Sequence, residues 1–67
     1  MTISNNLNRM MKEQHITQAQ LAFWLNVSRQ AVHRWCKGIA VPRARLLLEL
    51  ADVLKCNVED LIDEEEV

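Results

Sequence analysis

The chain has 67 residues, of which 49% are apolar, with one Gly, one Pro, no Tyr and a formal net charge of −1. A chain of that length makes one small domain with a stability on the order of 5 kcal/mol, and the scarcity of Gly-rich turns and β-branched runs favours packed helices over a sheet. The near-neutral total does not exclude a polyanionic partner: residues 1–45 carry seven cations against Glu13 alone, whereas residues 46–67 carry eight anions against Lys55 alone.

In chain order, the first helix is predicted from about Ser4 to Gln14, with Ile3, Leu7, Met10 and Met11 recurring on one face. His15 stands where the chain must leave that helix, and His tolerates a left-handed residue better than most. Thr17 and Gln20 form a capping box for the second helix, with Ile16 and Leu21 at the positions of a hydrophobic staple. Leu21, Ala22 and Leu25 are its inner face, and Asn26 ends it in a left-handed corner. Ser28 caps the third helix, with Val27 and Val32 as the staple pair. Val32 and Trp35 point inward, which leaves Arg29, Gln30, His33, Arg34 and Lys37 outside until Gly38 stops the helix. After Pro42 a fourth helix is expected from about Arg43 to Leu54, with Leu47, Leu50, Ala51 and Leu54 as its stripe. Asn57 can cap a fifth, from Val58 to about Asp63, carrying Leu61 and Ile62 before an acidic end at about residues 63–67.

Two short capped helices meeting at a corner, the second opening with Ser28-Arg29-Gln30, suit a surface that touches base edges. Arg matches guanine O6/N7 and Gln matches adenine N6/N7, each through two hydrogen bonds in the major groove. The bland alternative is an ordinary solvated helix face.

The markers Thr17-Gln18, Ala22, Asn26, Val27-Ser28-Arg29, Val32, Trp35, Gly38 and Pro42, with the Leu/Ala pattern of the fourth helix, together resemble the Cro/CI-type phage repressor helix-turn-helix family, also called the Xre family. The resemblance covers roughly Leu7 to Ile62. It implies an all-α, five-helix, lambda-repressor-like DNA-binding domain whose second and third helices form the helix-turn-helix. It also implies a sequence-specific, double-stranded-DNA-binding regulator, most like a Cro-type repressor. Arg29, Gln30 and Arg34 fall at positions that commonly contact bases, with His33 behind them, and Gln18, Ser28 and Lys37 at positions that commonly contact phosphate. Arg43 and Arg45 either reach phosphates or the minor groove, or are plain surface charge.

The chain departs from the family pattern in three places. Such proteins often carry Arg at the position of Met11 and Glu at that of Cys36; with both charges gone, Met11 and Cys36 are expected to touch as an apolar pair. Asn26 stands where Gly is usual. Phe23 and Trp24 stand where polar residues are usual. Trp24 is expected to be packed, and Phe23 to pack against the termini or, failing that, to serve a partner or oligomer contact.

One module covers few base pairs, so a homodimer on a near-palindromic operator is expected, with Val58, Leu61 and Ile62 as contact candidates unless they only close the core. The N-terminal MTISNNLN lacks the basic and apolar parts of a secretory leader, so a cytoplasmic setting and free thiols at Cys36 and Cys56 are expected. His15, His33 and Cys36 lack a convincing fourth metal ligand, no constellation suits catalysis, and neither a cofactor nor an enzyme activity is expected. The rival readings are an antitoxin-type autorepressor with a protein partner, and a protein-interaction module that uses Phe23, Trp24 and the acidic end.

Overall fold

The computed structural model describes residues 2–62, all of whose regular elements are helices: α1 (Thr2–Gln14), α2 (Gln18–Leu25), α3 (Arg29–Lys37), α4 (Ala44–Leu54) and α5 (Val58–Ile62). The acidic end expected at residues 63–67 lies outside them. Three boundaries differ from the sequence-based expectation. α1 begins at Thr2, two residues before the expected start, and Ser4 is buried inside the helix. α4 begins at Ala44, since Arg43 takes the extended backbone of a cap, at φ −69° and ψ 166°. The described part of α5 ends at Ile62.

One core joins all five helices. Leu7, Leu21, Val32, Leu50, Leu54 and Leu61 are its fully buried side chains, one or two from each helix. α1 packs against α3, α4 and α5; α2 packs against α3 and α4; α4 packs against α5. Backbone approach to α3 among the described helices comes only from α1 and α2, so these two set its direction.

The first four helices end in the same way. His15, Asn26 and Lys55 have φ of 58°, and Gly38 has φ of 79°. In each case the next residue donates its N–H to a carbonyl one turn back: Ile16 to Met11 at 2.8 Å, Val27 to Ala22 at 3.0 Å, Ile39 to Arg34 at 3.0 Å and Cys56 to Ala51 at 2.9 Å. This is the Schellman pattern, which satisfies orphan carbonyls and turns the chain sharply. The chain's one Gly serves α3 alone. His15 and Asn26 behave as expected; Lys55 was not foreseen, because nothing about lysine favours the left-handed region.

α1 also satisfies helix ends elsewhere through three side-chain amides. Asn8 Nδ2–H donates to the Cys36 carbonyl in α3 at 2.9 Å, Gln14 Nε2–H to that of Leu54 in α4 at 2.8 Å, and Asn6 Nδ2–H to that of Leu61 in α5 at 2.8 Å. Carbonyls in a last turn have no helical partner, so the first two amides hold the ends of α3 and α4, and the third ties α5 to the same helix. Among the described residues no buried side-chain nitrogen or oxygen lacks a partner.

The expected sulfur pair is present: Cys36 Sγ lies 3.8 Å from Met11 Sδ in the buried seam between α1 and α3. A second pair joins Cys56 Sγ to Met10 Sδ at 3.7 Å. Both thiols are free.

Two expectations about aromatic side chains are overturned. Phe23 is 82% exposed rather than packed, and Trp24 is about half exposed. Both lie outside the Leu21–Ala22–Leu25 face that α2 buries, and the core closes without them. At α5 no hydrogen bond to the Asn57 side chain occurs among the described residues; the Asn57 N–H donates to Asp60 Oδ2 at 3.0 Å, the reach-back half of a capping box.

Candidate nucleic-acid interface

The interface is built from local signals in the two middle helices. Thr17 Oγ1 accepts from the Gln20 N–H at 3.1 Å while Gln20 Oε1 accepts from the Thr17 N–H at 2.9 Å, a complete capping box. Ser28 Oγ accepts from the Ala31 N–H at 3.1 Å. A hydroxyl used as an acceptor keeps its own proton to donate, so Ser28 can hold the helix start and still reach a phosphate oxygen. Between the two helices the Asn26 corner, at φ 58° and ψ 45°, fixes how α3 leaves α2.

α3 divides cleanly. Val32, Trp35 and Cys36 are buried, whereas Arg29, Gln30, His33, Arg34 and Lys37 are all exposed on the other side. The described residues contain two ion pairs, Arg9–Glu13 at 4.0 Å and Arg45–Glu49 at 3.8 Å, both exposed. None of Arg29, Arg34, Lys37 or Arg43 is in an ion pair with a described residue. Their charge is uncompensated, as a surface that meets polyanion phosphates requires.

The remaining candidates fall in three places. Gln18 is half-buried at the first position of α2. Burial pushes the Cys36 thiol above its ordinary pKa and the Gln18 hydrogen bond opposes this in part; burial, then the Asp60 carboxylate, push Cys56 upward as well. Both thiols are therefore protonated at neutral pH, which suits packing rather than nucleophilic chemistry. Arg43 and Arg45 flank the start of α4 and line a groove with Trp24, Asn26, Val27 and Glu49, beside the corner that precedes α3. Val58, Leu61 and Ile62 lie on α5, which packs on α1 and α4 away from α3. Leu61 is fully buried and closes the core, so of these three only the half-buried Val58 and the exposed Ile62 reach the surface.

Asn8, whose amide holds the end of α3, was missed by sequence reasoning. The available signal was its place on α1 one residue past Leu7 and three before Met11, at the edge of the buried face. No group of three or more His, Cys, Asp or Glu able to hold a metal occurs among the described residues.

A capped corner, an inner face locked into the core and an outer face of unpaired Arg, Lys, Gln and His make the α2–α3 unit a helix-turn-helix DNA-binding element. The chain belongs to the Cro/C1-type HTH DNA-binding domain family, whose model matches residues 6–66. It is thus a DNA-binding domain of transcription-regulator type. Among solved structures it is similar to the SOS-response transcriptional repressor LexA from Eubacterium rectale, with 38% identity and a TM-score of 0.91 over 98% of this chain and 70% of that one. It is also similar to a transcriptional regulator from Listeria innocua, with 29% identity and a TM-score of 0.85 over 97% of this chain and 62% of that one, less than two thirds of its length. A search of curated proteins gives no match.

Proposed function

We propose that this chain is a sequence-specific repressor that binds a near-palindromic double-stranded operator as a homodimer in the bacterial cytoplasm, with α3 in the major groove and α2 across the backbone. The observation that carries this reading is the exposed, unpaired face of α3 set on a capped corner. Arg29, Gln30 and Arg34 read bases, with His33 beside them; Gln18, Ser28 and Lys37 hold phosphates, and Arg43 and Arg45 extend the contact from α4. Repression follows from occupancy of the operator, and the likeness to an SOS-response transcriptional repressor supports it. Val58 and Ile62 are the dimer contacts, and the small apolar area they offer makes the dimer weak without DNA. The acidic end repels phosphate and so disfavours inverted docking. No helix among the described residues is long and apolar enough to cross a membrane.

Selection from a random duplex library tests the reading directly, because it returns a consensus together with its symmetry and half-site spacing. On the selected site, Arg29→Ala is expected to cost about 1–3 kcal/mol and to relax preference at one base position. Lys37→Ala is expected to weaken all sequences alike and lower the salt slope by about one. Equal losses on selected and random duplex for Arg29→Ala would overturn the division of roles.

A second reading is favoured by one observation, the 82% exposure of Phe23. An antitoxin-type autorepressor or an interaction module would use Phe23 and Trp24 against a protein partner. Phe23→Ser then abolishes partner capture while leaving operator affinity unchanged.

A further inference from the structure

α3 is a lever. From Arg29 to Lys37 its DNA-facing residues extend over about 12 Å at 1.5 Å per residue. The near end is fixed locally, by the Ser28 cap and the Asn26 corner. The far end converges on Cys36, the residue before Lys37. The Cys36 carbonyl lies in the last turn of α3, where the closing N–H groups of Gly38, Ile39 and Ala40 go to Trp35 and Arg34 instead. Asn8 fills that vacancy from α1 at 2.9 Å, and Met11 meets the Cys36 thiol at 3.8 Å. A tilt of about 10° about the corner would move the Lys37 backbone by about 2 Å and the Arg29 backbone by far less. Hydrogen bonds tolerate only a few tenths of an ångström, so a displacement of that size removes a phosphate contact.

We infer that Asn8 is a positioning residue for DNA binding: its amide, by holding the Cys36 carbonyl, sets where Arg34 and Lys37 meet the duplex while leaving Arg29 and Gln30 to the local caps. The inference rests on the reading of α3 as the DNA-binding helix. Asn8 itself is exposed, so truncating it opens no core cavity and the fold is retained.

The test is a pair of double-mutant cycles on the full chain, with dissociation constants measured for the selected duplex at two salt concentrations and thermal melts run alongside. Asn8→Ala is expected to bind roughly threefold to tenfold more weakly, the equivalent of one net hydrogen bond. Asn8→Asp, which keeps the shape but loses the donor and faces a carbonyl with a carboxylate, is expected to lose at least as much. The loss shrinks or vanishes in a Lys37→Ala background, stays whole in an Arg29→Ala background, and carries a fall in salt slope like that of Lys37→Ala. Unchanged affinity in folded Asn8→Ala and Asn8→Asp, or a loss equally additive with Lys37→Ala and Arg29→Ala, overturns the inference. If Lys37→Ala and Arg29→Ala themselves leave affinity unaltered, it is the assignment of α3 to DNA that has failed, and Asn8 falls with it.

Discussion

The α2–α3 unit and the α4–α5 unit are held in place by different means. In the first, both helix starts have side-chain caps, Thr17 with Gln20 and Ser28, and both ends fall on residues that tolerate positive φ, Asn26 and Gly38. In the second, Arg43 makes no side-chain cap bond and Lys55 is forced to φ 58°. α4 stands because Leu50, Ala51 and Leu54 are buried, and α5 because Leu61 is. The half with the helix-turn-helix leaves a polar face of α3 outside and adds local bonds at both helix starts to its buried face. The half that carries it relies on packing.

The sharpest way to break that contrast is to empty the packed half. Leu50 is fully buried, and Leu50→Ala is expected to cost about 2–5 kcal/mol. That is a large share of the stability of a chain this small, so circular dichroism is expected to show a melting midpoint far below that of the wild type. A second melt at the wild-type midpoint would mean that the carrier half is held by something other than its core.

Exchanging the caps comes next. Ser28→Ala is expected to lower stability by about 1 kcal/mol and weaken operator binding at the same time. Arg43→Asp gives α4 the cap it lacks and is expected to raise stability by about 0.5–1 kcal/mol while reducing DNA affinity through the lost cation. Urea titrations and binding assays should therefore move together for Ser28→Ala and in opposite directions for Arg43→Asp.

The smallest effects concern the corners. Lys55→Gly relieves a left-handed lysine and is expected to gain about 1 kcal/mol, whereas Asn26→Gly gains a few tenths because Asn already tolerates that conformation. Equal gains at the two sites, read from urea midpoints, would erase the difference between the units.

The same contrast explains what the sequence revealed. The caps at Thr17, Ser28, Asn26 and Gly38 are short-range signals, written within three or four residues, and the outward face of α3 followed from them. The Met11–Cys36 contact was legible only through the family, as the loss of two charges at once. What stayed hidden was set by tertiary position. Lys55 carries no local signal for positive φ, and the turn after α4 requires it there. Phe23 was expected to pack, but the face of α2 that is buried is Leu21, Ala22 and Leu25. Leu61 was offered for a dimer and proved to be the plug between α1 and α4. Asn6, Asn8 and Gln14 carry no local signal of their roles because their acceptors lie 55, 28 and 40 residues away.

Those three amides have a consequence for how the domain is made. α1 precedes all of its partners in the chain, and the carbonyls it must hold emerge from the ribosome in the order Cys36, Leu54, Leu61. At about 5–20 residues per second, α1 waits several seconds before the last of them can arrive. During synthesis the DNA-facing pair α2–α3 can close on α1 first, with α4 and α5 still to come. The helix that is made earliest is the one whose bonds are completed last.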